Sequence, residues 1–398
     1  MNFIYKLNLK NKRSTCVCFL LVLLIFAVST ITVHATDEES RDAYYEELTE
    51  EPTYTVIKAD VIEITFDDLD VDKPDTPKFL DVRYQQLRVQ LKSGPHKGEV
   101  FHVRNTVEMV NPYKLIFKQG DTALLRVTDD EDGNVENIQV YEKGRDGPIY
   151  FMITVFLLML IAIGGRKGLN SVISLVVTGL LIYFILLPLI LNGHSPIWVS
   201  LLVSILSTVI TFLLISGNNR KTYSALIGTV GGLLVGGIFA YIIGSMSSLT
   251  GLSGEDAQLL AYLPQSVTLD FKGILFAGIL IGALGAIMDV TLSVASAMFE
   301  VEAVHPEIKT KDLIRSGMNV GRDVMGSMSN TLILAYTGGA LQMMLLFIAF
   351  KLTMVEIMNM DVIATELVRA FAGSIGIVSA IPLTAISCGA LRHREGKA

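Results

Sequence analysis

Residues 271–300 read FKGILFAGILIGALGAIMDVTLSVASAMFE, and the only charged residues among them are Lys272, Asp289 and Glu300. A helix needs about twenty predominantly apolar residues to cross the hydrocarbon core of a bilayer. The stretch therefore predicts a transmembrane helix that carries a carboxylate, Asp289, in its second half. Gly285, Asp289, Ser293, Ser296 and Glu300 recur at helical spacing and share one face. A charge placed in hydrocarbon costs about 3 kcal/mol or more. Asp289 and Ser293 are thus candidates for an ion, proton or substrate position in the bundle interior; the plainer reading is a structural carboxylate paired with a neighbour.

Similar apolar runs lie on either side: residues 149–163, 172–191, 197–215, 223–243, 331–350 and 371–391. With 271–299 they predict seven spanning helices, or eight if an apolar segment near the amino terminus is retained. Pro188 and Pro382 fall inside two of the runs and are expected to kink or end them. Gly228, Gly232 and Gly236 recur every fourth residue in one run, as do Gly278, Gly282 and Ala286 in another. Such stripes of small residues let helix backbones approach closely in lipid. They predict a tightly packed bundle, or smooth faces that slide and open a path.

If the helices alternate, Arg166, Lys167, Arg220, Lys221, Lys309, Lys311, Arg315, Arg322, Arg392, Arg394 and Lys397 fall on one side, and Lys272, Lys351 and Arg369 on the other. Cytoplasmic loops collect Lys and Arg. The expected arrangement puts the carboxyl terminus in the cytoplasm and the segment before residue 148 outside it.

Residues 316–331, SGMNVGRDVMGSMSNT, are too polar for lipid and too rich in small residues for an ordinary loop. On a helix, Asn319, Asp323, Gly326 and Asn330 share a face. The glycines permit a break where backbone groups line a cavity, so a broken or re-entrant helix is expected, with Arg322 placed to pair with Asp289 or Asp323. The alternative is a helix entrance, with Arg322 at the interface and Asp323 and Asn330 as caps or packing contacts.

The chain as a whole is 51% hydrophobic and 18% charged, against about 25% charged in average soluble domains, and its mean hydropathy is +0.51. Its net charge of −7 comes from acidic residues crowded between Asp37 and Asp146. Residues 1–35 are basic, then apolar, then small, which fits a signal peptide or a retained signal anchor. Residues 36–52 are acidic with few apolar side chains and predict a flexible linker. Residues 53–147 alternate β-branched or aromatic with polar residues at 53–66, 86–91, 100–103, 114–117, 123–127 and 135–140, separated by turn residues such as Gly120-Asp121 and Asp132-Gly133. These predict a small antiparallel barrel or sandwich resembling an OB-fold. Residues 148–398 form the multi-pass part.

The residues 164–169, 217–222, 276–290, 316–323 and 330–336, together with Lys97-Gly98-Glu99 and Gly120-Asp121, resemble the YibE/F-like family of bacterial multi-pass membrane proteins. The resemblance covers nearly the whole chain after the linker. It implies class and architecture, and no catalytic residue carries over.

Several chemistries lack their signatures. Residues 129–134, DEDGN after Asp129, suggest a calcium loop, but aligning Gly133 with the loop glycine puts Thr128 and Gln139 where ligands belong, so a solvated hairpin turn is expected. There is no phosphate-binding Gly-x-x-x-x-Gly-Lys loop and no His-Glu-x-x-His, and Cys16, Cys18 and Cys388 have no partners at metal spacing. No basic patch with stacking aromatics suggests nucleic acid. The expectation is a non-enzymatic protein without metal or cofactor, whose partners are the lipid bilayer and an unidentified small solute or ion, and whose glycine-rich packing suits a homo-oligomer as well as a monomer. Two functions follow: a permease with Asp289, Ser293, Asn319, Arg322, Asp323 and Asn330 along a polar site and the β domain as receptor or lid, or a membrane scaffold that grips a partner through the β domain.

Overall fold

The computed structural model describes residues 54–69, 81–130, 132–262 and 268–392. The amino-terminal segment, the acidic linker, Cys16, Cys18, Arg394 and Lys397 lie outside the described residues. Those described fall into two compact units, one ending at Met159 and the other beginning at Leu160.

The first unit is built on five strands: β1 (Thr55–Asp67), β2 (Val82–Leu91), β3 (Val100–Glu108), β4 (Thr122–Asp129) and β5 (Val135–Lys143). All neighbours pair antiparallel in the order β3-β2-β1-β4-β5, and the two outer strands, β3 and β5, approach each other. The sheet is thus a nearly closed barrel with the ring order of an OB-type fold. Alternation in the sequence fills its interior: Ile57, Ala59 and Val61 from β1, Leu87, Val89 and Leu91 from β2, Val103 from β3, and Ala123, Leu125 and Val127 from β4 are all buried. β1 is long enough to serve both neighbours, and two register shifts along its pairing with β2 bend it round. Gly120, with φ +87°, makes the tight entry to β4 that lets its N–H reach the Val61 carbonyl at 2.8 Å.

Residues 114–117 alternate like a strand but do not form one. Phe117 is 1% exposed and packs into the barrel core, and its backbone is satisfied by a side chain instead of a neighbouring strand. Its N–H donates to Gln85 Oε1 at 3.0 Å, and its carbonyl accepts from Gln85 Nε2 at 3.1 Å. Asn105 Nδ2 donates to the Leu115 carbonyl at 2.7 Å and to Gln85 Oε1 at 3.2 Å. Two buried amides on β2 and β3 thus hold the β3–β4 connection across the barrel. At the β4–β5 turn, the Asp130 carboxylate accepts from the N–H groups of Asp132 and Asn134 at 3.0 and 2.8 Å.

The second unit is helical, and among the described residues five helices are long and apolar enough to cross a membrane, six if one bent pair is counted as a span. The first of the five runs from Asp146 to Leu191 and comprises α1 (Asp146–Leu181), a π-helical turn (Ile182–Leu186) and α2 (Leu187–Leu191), which carries Pro188 in its first turn and ends shortly after it. Straight, 46 residues would reach about 69 Å, more than twice the hydrocarbon thickness. Gly165, at φ 53° and ψ −126°, breaks the helix. Beyond the break, a Cβ on Gly168 would lie 2.0 Å from the Leu160 carbonyl oxygen, whereas residues eight apart in an unbroken helix are about 12 Å apart. The chain reverses sharply at the Gly164-Gly165-Arg166-Lys167 stretch, and the run is divided into the two apolar arms legible in the sequence.

The remaining helices are α3 (Pro196–Ser216), α4 (Arg220–Met246), the short α5 (Glu255–Tyr262), α6 (Phe271–Val304), α7 (Thr310–Gly339), α8 (Leu341–Ala349), α9 (Met354–Met358) and α10 (Asp361–Ala390). α7 and α8 are bent by 58° at Ala340. α10 packs on α4, α6 and α7 and continues past Pro382 to Ala390. Buried hydroxyls join several helices: Ser174 to Thr211 at 2.6 Å, Thr178 to Ser207 at 2.7 Å and Thr229 to Thr291 at 2.7 Å. Between helices in lipid such bonds contribute about 0.6–2 kcal/mol each.

The helix registers gather the basic residues. α4 and α10 run antiparallel, with Gly228 beside Thr384 and Gly236 beside Ala372. α6 and α7 run antiparallel, with Met298 beside Gly317 and Gly282 beside Tyr336. Arg220 and Lys221 at the start of α4, Lys309 and Lys311 at the start of α7, and Arg392 after α10 therefore share one end of the bundle, where Arg392 pairs with Glu302 at 3.2 Å. Asn170 donates to the Leu214 carbonyl at 2.7 Å and brings Arg166 and Lys167 beside the end of α3.

Candidate polar site on two helices

α6 presents an apolar side to the bundle and a small, polar side away from it. Ile279, Ala283, Ile287, Val290, Val294 and Met298 are buried against α4, α7 and α10, while Gly278, Gly282, Gly285, Asp289, Ser293 and Glu300 are exposed. Asp289 is near the middle of the helix. No hydrogen bond or ion pair reaches its carboxylate from any described residue.

α7 divides in the same way. Leu313, Gly317, Gly321 and Leu332 are buried, and Asn319, Arg322, Asp323, Gly326 and Asn330 are exposed. The helix is continuous through residues 316–331, and the bend comes later, at Ala340. The glycines explain why it does not break: a Cβ on Gly317 would meet the Met298 sulfur at 2.2 Å, and one on Gly321 would meet Ile381 at 2.1 Å. They are contact points with α6 and α10, held by packing. Nor does Arg322 reach a carboxylate. Its Nη1 donates to Asn319 Oδ1, one turn earlier on the same helix, at 3.0 Å. Neighbours along a helix point about 100° apart, so Arg322 and Asp323 do not face each other.

The antiparallel register sets Asp289 opposite the stretch between Asp323 and Asn330, and Ser293 level with Arg322 and Asp323. The six candidate residues Asp289, Ser293, Asn319, Arg322, Asp323 and Asn330 are therefore exposed on two packed antiparallel helices, at depths from the basic end towards the middle of the bundle, and make up the exposed side of that pair. The glycines divide otherwise. Gly228, Gly232 and Gly236 all lie against α10, with Gly236 near the Ala372 carbonyl and Gly376; Gly282 meets only the Tyr336 hydroxyl, and nothing lies within 4 Å of a Cβ built on Gly278, Gly285 or Gly326.

Two features of this neighbourhood leave no mark on the sequence. The Arg369 guanidinium sits 5.8 Å from the Tyr336 ring and pairs with Glu366 at 2.8 Å, which ties α7 to α10 towards the other end of the bundle. The Ser329 hydroxyl on α7 is buried without a hydrogen-bond partner among the described residues. A serine one position from Asn330 gives no sequence signal of that kind.

The family model described as YibE/F-like protein matches residues 152–394, and that described as YibE/F family N-terminal domain matches residues 52–142. The chain belongs to the YibE/F-like family. The first match contains every helix from α3 to α10 and so the whole polar face; the second contains nearly all of the barrel. In this YibE/F-like membrane protein the charged face is part of the family-defining region and does not belong to an appended segment. No curated protein and no solved structure matches the chain.

Proposed function

We propose that this YibE/F-like protein is a permease for a small solute or ion, with a polar path along the exposed face of α6 and α7. One observation carries the reading: Asp289, Arg322 and Asp323 stand on that face without a carboxylate–guanidinium partner among the described residues. Facing lipid, each costs about 3 kcal/mol on the insertion scale, and a function that needs water or substrate beside them offsets that cost. Asp289 is the coupling or binding carboxylate, Arg322 and Asp323 set the charge at the approach, and Ser293, Asn319 and Asn330 supply hydrogen bonds. The shared basic end is cytoplasmic, so the carboxyl terminus is inside and the barrel is outside as receptor or lid. Thiol labelling of a cysteine placed at Arg220 tests the orientation, and reaction with an impermeant reagent added outside intact cells would reverse it. For transport, Asp289→Asn is expected to abolish solute-coupled ion flux in reconstituted vesicles while yield and melting stay unchanged; equal flux in variant and parent removes the permease.

A second reading, a scaffold that grips a partner through the barrel, is favoured by the outer surface of β1, β2 and β3. There the Phe66 and Tyr84 rings stack at 5.0 Å and the Arg104 guanidinium covers Tyr84 at 4.1 Å, and exposed aromatic and arginine side chains are typical binding anchors. Deleting residues 53–142 should then abolish partner capture and leave membrane insertion intact.

A further inference from the structure

The exposed charges of α6 and α7 are of both signs, with Arg322 and Asp323 adjacent on α7 and Asp289 about one turn deeper on α6, and are covered by nothing among the described residues. Asp289, Arg322 and Asp323 are exposed, and among the described residues Arg322 has only the Asn319 amide oxygen. Beside them, Gly278, Gly285 and Gly326 open onto empty space, whereas the like-spaced Gly228, Gly232 and Gly236 are filled by α10.

We infer that the same face of a second copy of the chain covers this one and closes the Asp289 site between two α6–α7 pairs. Charge complementarity identifies the occupant. Two copies inserted in the same sense are related by a two-fold axis along the membrane normal, so each residue lies at the depth of its counterpart and the contact is isologous. Arg322 and Asp323 differ by one residue, about 1.5 Å of rise. Each copy's Arg322 therefore comes level with the other's Asp323, and two reciprocal ion pairs form that cannot form within one helix. A partner of different sequence would need its own matched pair at that depth; this face already supplies both signs. The open glycines complete the fit, because close helix approach in lipid depends on small residues at the contact. Asp289, deeper than Arg322, is then enclosed and shielded from lipid, and the site is incomplete in a single chain. The functional meaning of the enclosure rests on the permease reading, but the interface itself is testable without transport.

The test uses the full chain in membranes, with Cys16, Cys18 and Cys388 replaced by serine. Single cysteines at Asn319, Gly326 and Asn330 are expected to give covalent dimers on oxidation with copper phenanthroline. Ile227→Cys on α4 and Val378→Cys on α10, exposed elsewhere, should remain monomeric. Arg322→Asp and Asp323→Arg should each lower the cross-linked fraction several-fold, and the double exchange should restore it, with melting in detergent confirming that every variant folds. A monomeric mass by light scattering together with no cross-link on this face overturns the inference, as does cross-linking of the face to a protein of another sequence. Flux enters none of these readouts: a dimer whose flux ignores Asp289→Asn removes the permease alone, and a monomer whose flux depends on Asp289 removes the dimer alone.

Discussion

Gly232 of α4 lies against Gly376 of α10, so closely that a Cβ on Gly232 would fall 2.8 Å from the Gly376 carbonyl oxygen and 2.7 Å from the Ala380 side chain. The contact is backbone against backbone, so the neighbours have little room to yield. Gly232→Leu is expected to destabilise the helical unit by about 1–3 kcal/mol through overpacking, read as a melting temperature lowered by several degrees in detergent. Gly278→Ala, built into open space, should change stability by less than about 0.5 kcal/mol. Equal losses at the two glycines would contradict the packing described for α4.

Gln85 and Asn105 lead to a second expectation. Both are buried; Gln85 commits its Nε2 and its Oε1 to the Phe117 carbonyl and N–H, and Asn105 donates its Nδ2 to the Leu115 carbonyl. Gln85→Leu strands the Phe117 N–H and carbonyl inside the barrel, and a buried polar group left unpaired costs about 1–3 kcal/mol. Hydrogen exchange should therefore speed up at the Phe117 amide in this variant. Unchanged protection there would mean that the connection is held by the Phe117 ring alone.

The contrast between these two sites shows what local sequence carries. Apolar run length, the basic loops and the 3.6-residue spacing of Gly285, Asp289 and Ser293 are properties of a single segment, and the helices and the common face of those three residues follow from them; that the face turns outward and not into the bundle interior depends on packing between helices. The Gly164–Lys167 reversal was legible for the same reason, as basic and glycine residues between two apolar runs. Residues 114–117 alternate like a strand, yet distant amides on β2 and β3 take their backbone groups. Gly317 and Gly321 look like hinges until Met298 and Ile381 are placed beside them. Arg322 had two carboxylates within reach in sequence, but an amide one turn away took its hydrogen bond. Which glycine stripe meets a neighbour is likewise a matter of tertiary packing: Gly228, Gly232 and Gly236 find α10, and Gly278 finds nothing.

Acid should act on the barrel through its depressed carboxylates. Burial alone pushes the Asp121 carboxyl up, but Lys143 Nζ at 2.6 Å and the Lys118 N–H at 2.7 Å outweigh it and hold it below its ordinary 3.8. The Asn134 N–H, with those of Asp132 and Gly133, holds Asp130 low as well. A group depressed in the folded state contributes its stability above its unfolded pKa and loses it as pH falls through the folded value. Barrel stability should thus be level above about pH 5 and decline below about pH 4. Asp121→Asn should cost less than about 1 kcal/mol at neutral pH, since the pair is partly solvated, and that difference should vanish in acid. A variant equally weakened at pH 3 and pH 7 would show that Asp121 acts through packing and not charge.

Arg392 closes the basic end of the bundle. Its Nε pairs with Glu302 at 3.2 Å, and its two terminal nitrogens donate to the carbonyls of Ile308 and Pro306. One guanidinium after α10 thus holds both the end of α6 and the turn that starts α7, a planar fork that lysine cannot reproduce. Charged hydrogen bonds contribute about 1.5–3 kcal/mol each at most, with partial exposure lowering the figure. Because the turn fixes where α7 begins against α6, its release should be felt along the polar face. Arg392→Ala is expected to raise proteolytic cleavage at residues 305–309 severalfold, and Arg392→Lys should rescue it only in part. Full protection in the alanine variant would place the restraint on α7 in its packing against Met298 and Ile381, and leave Arg392 as a surface charge.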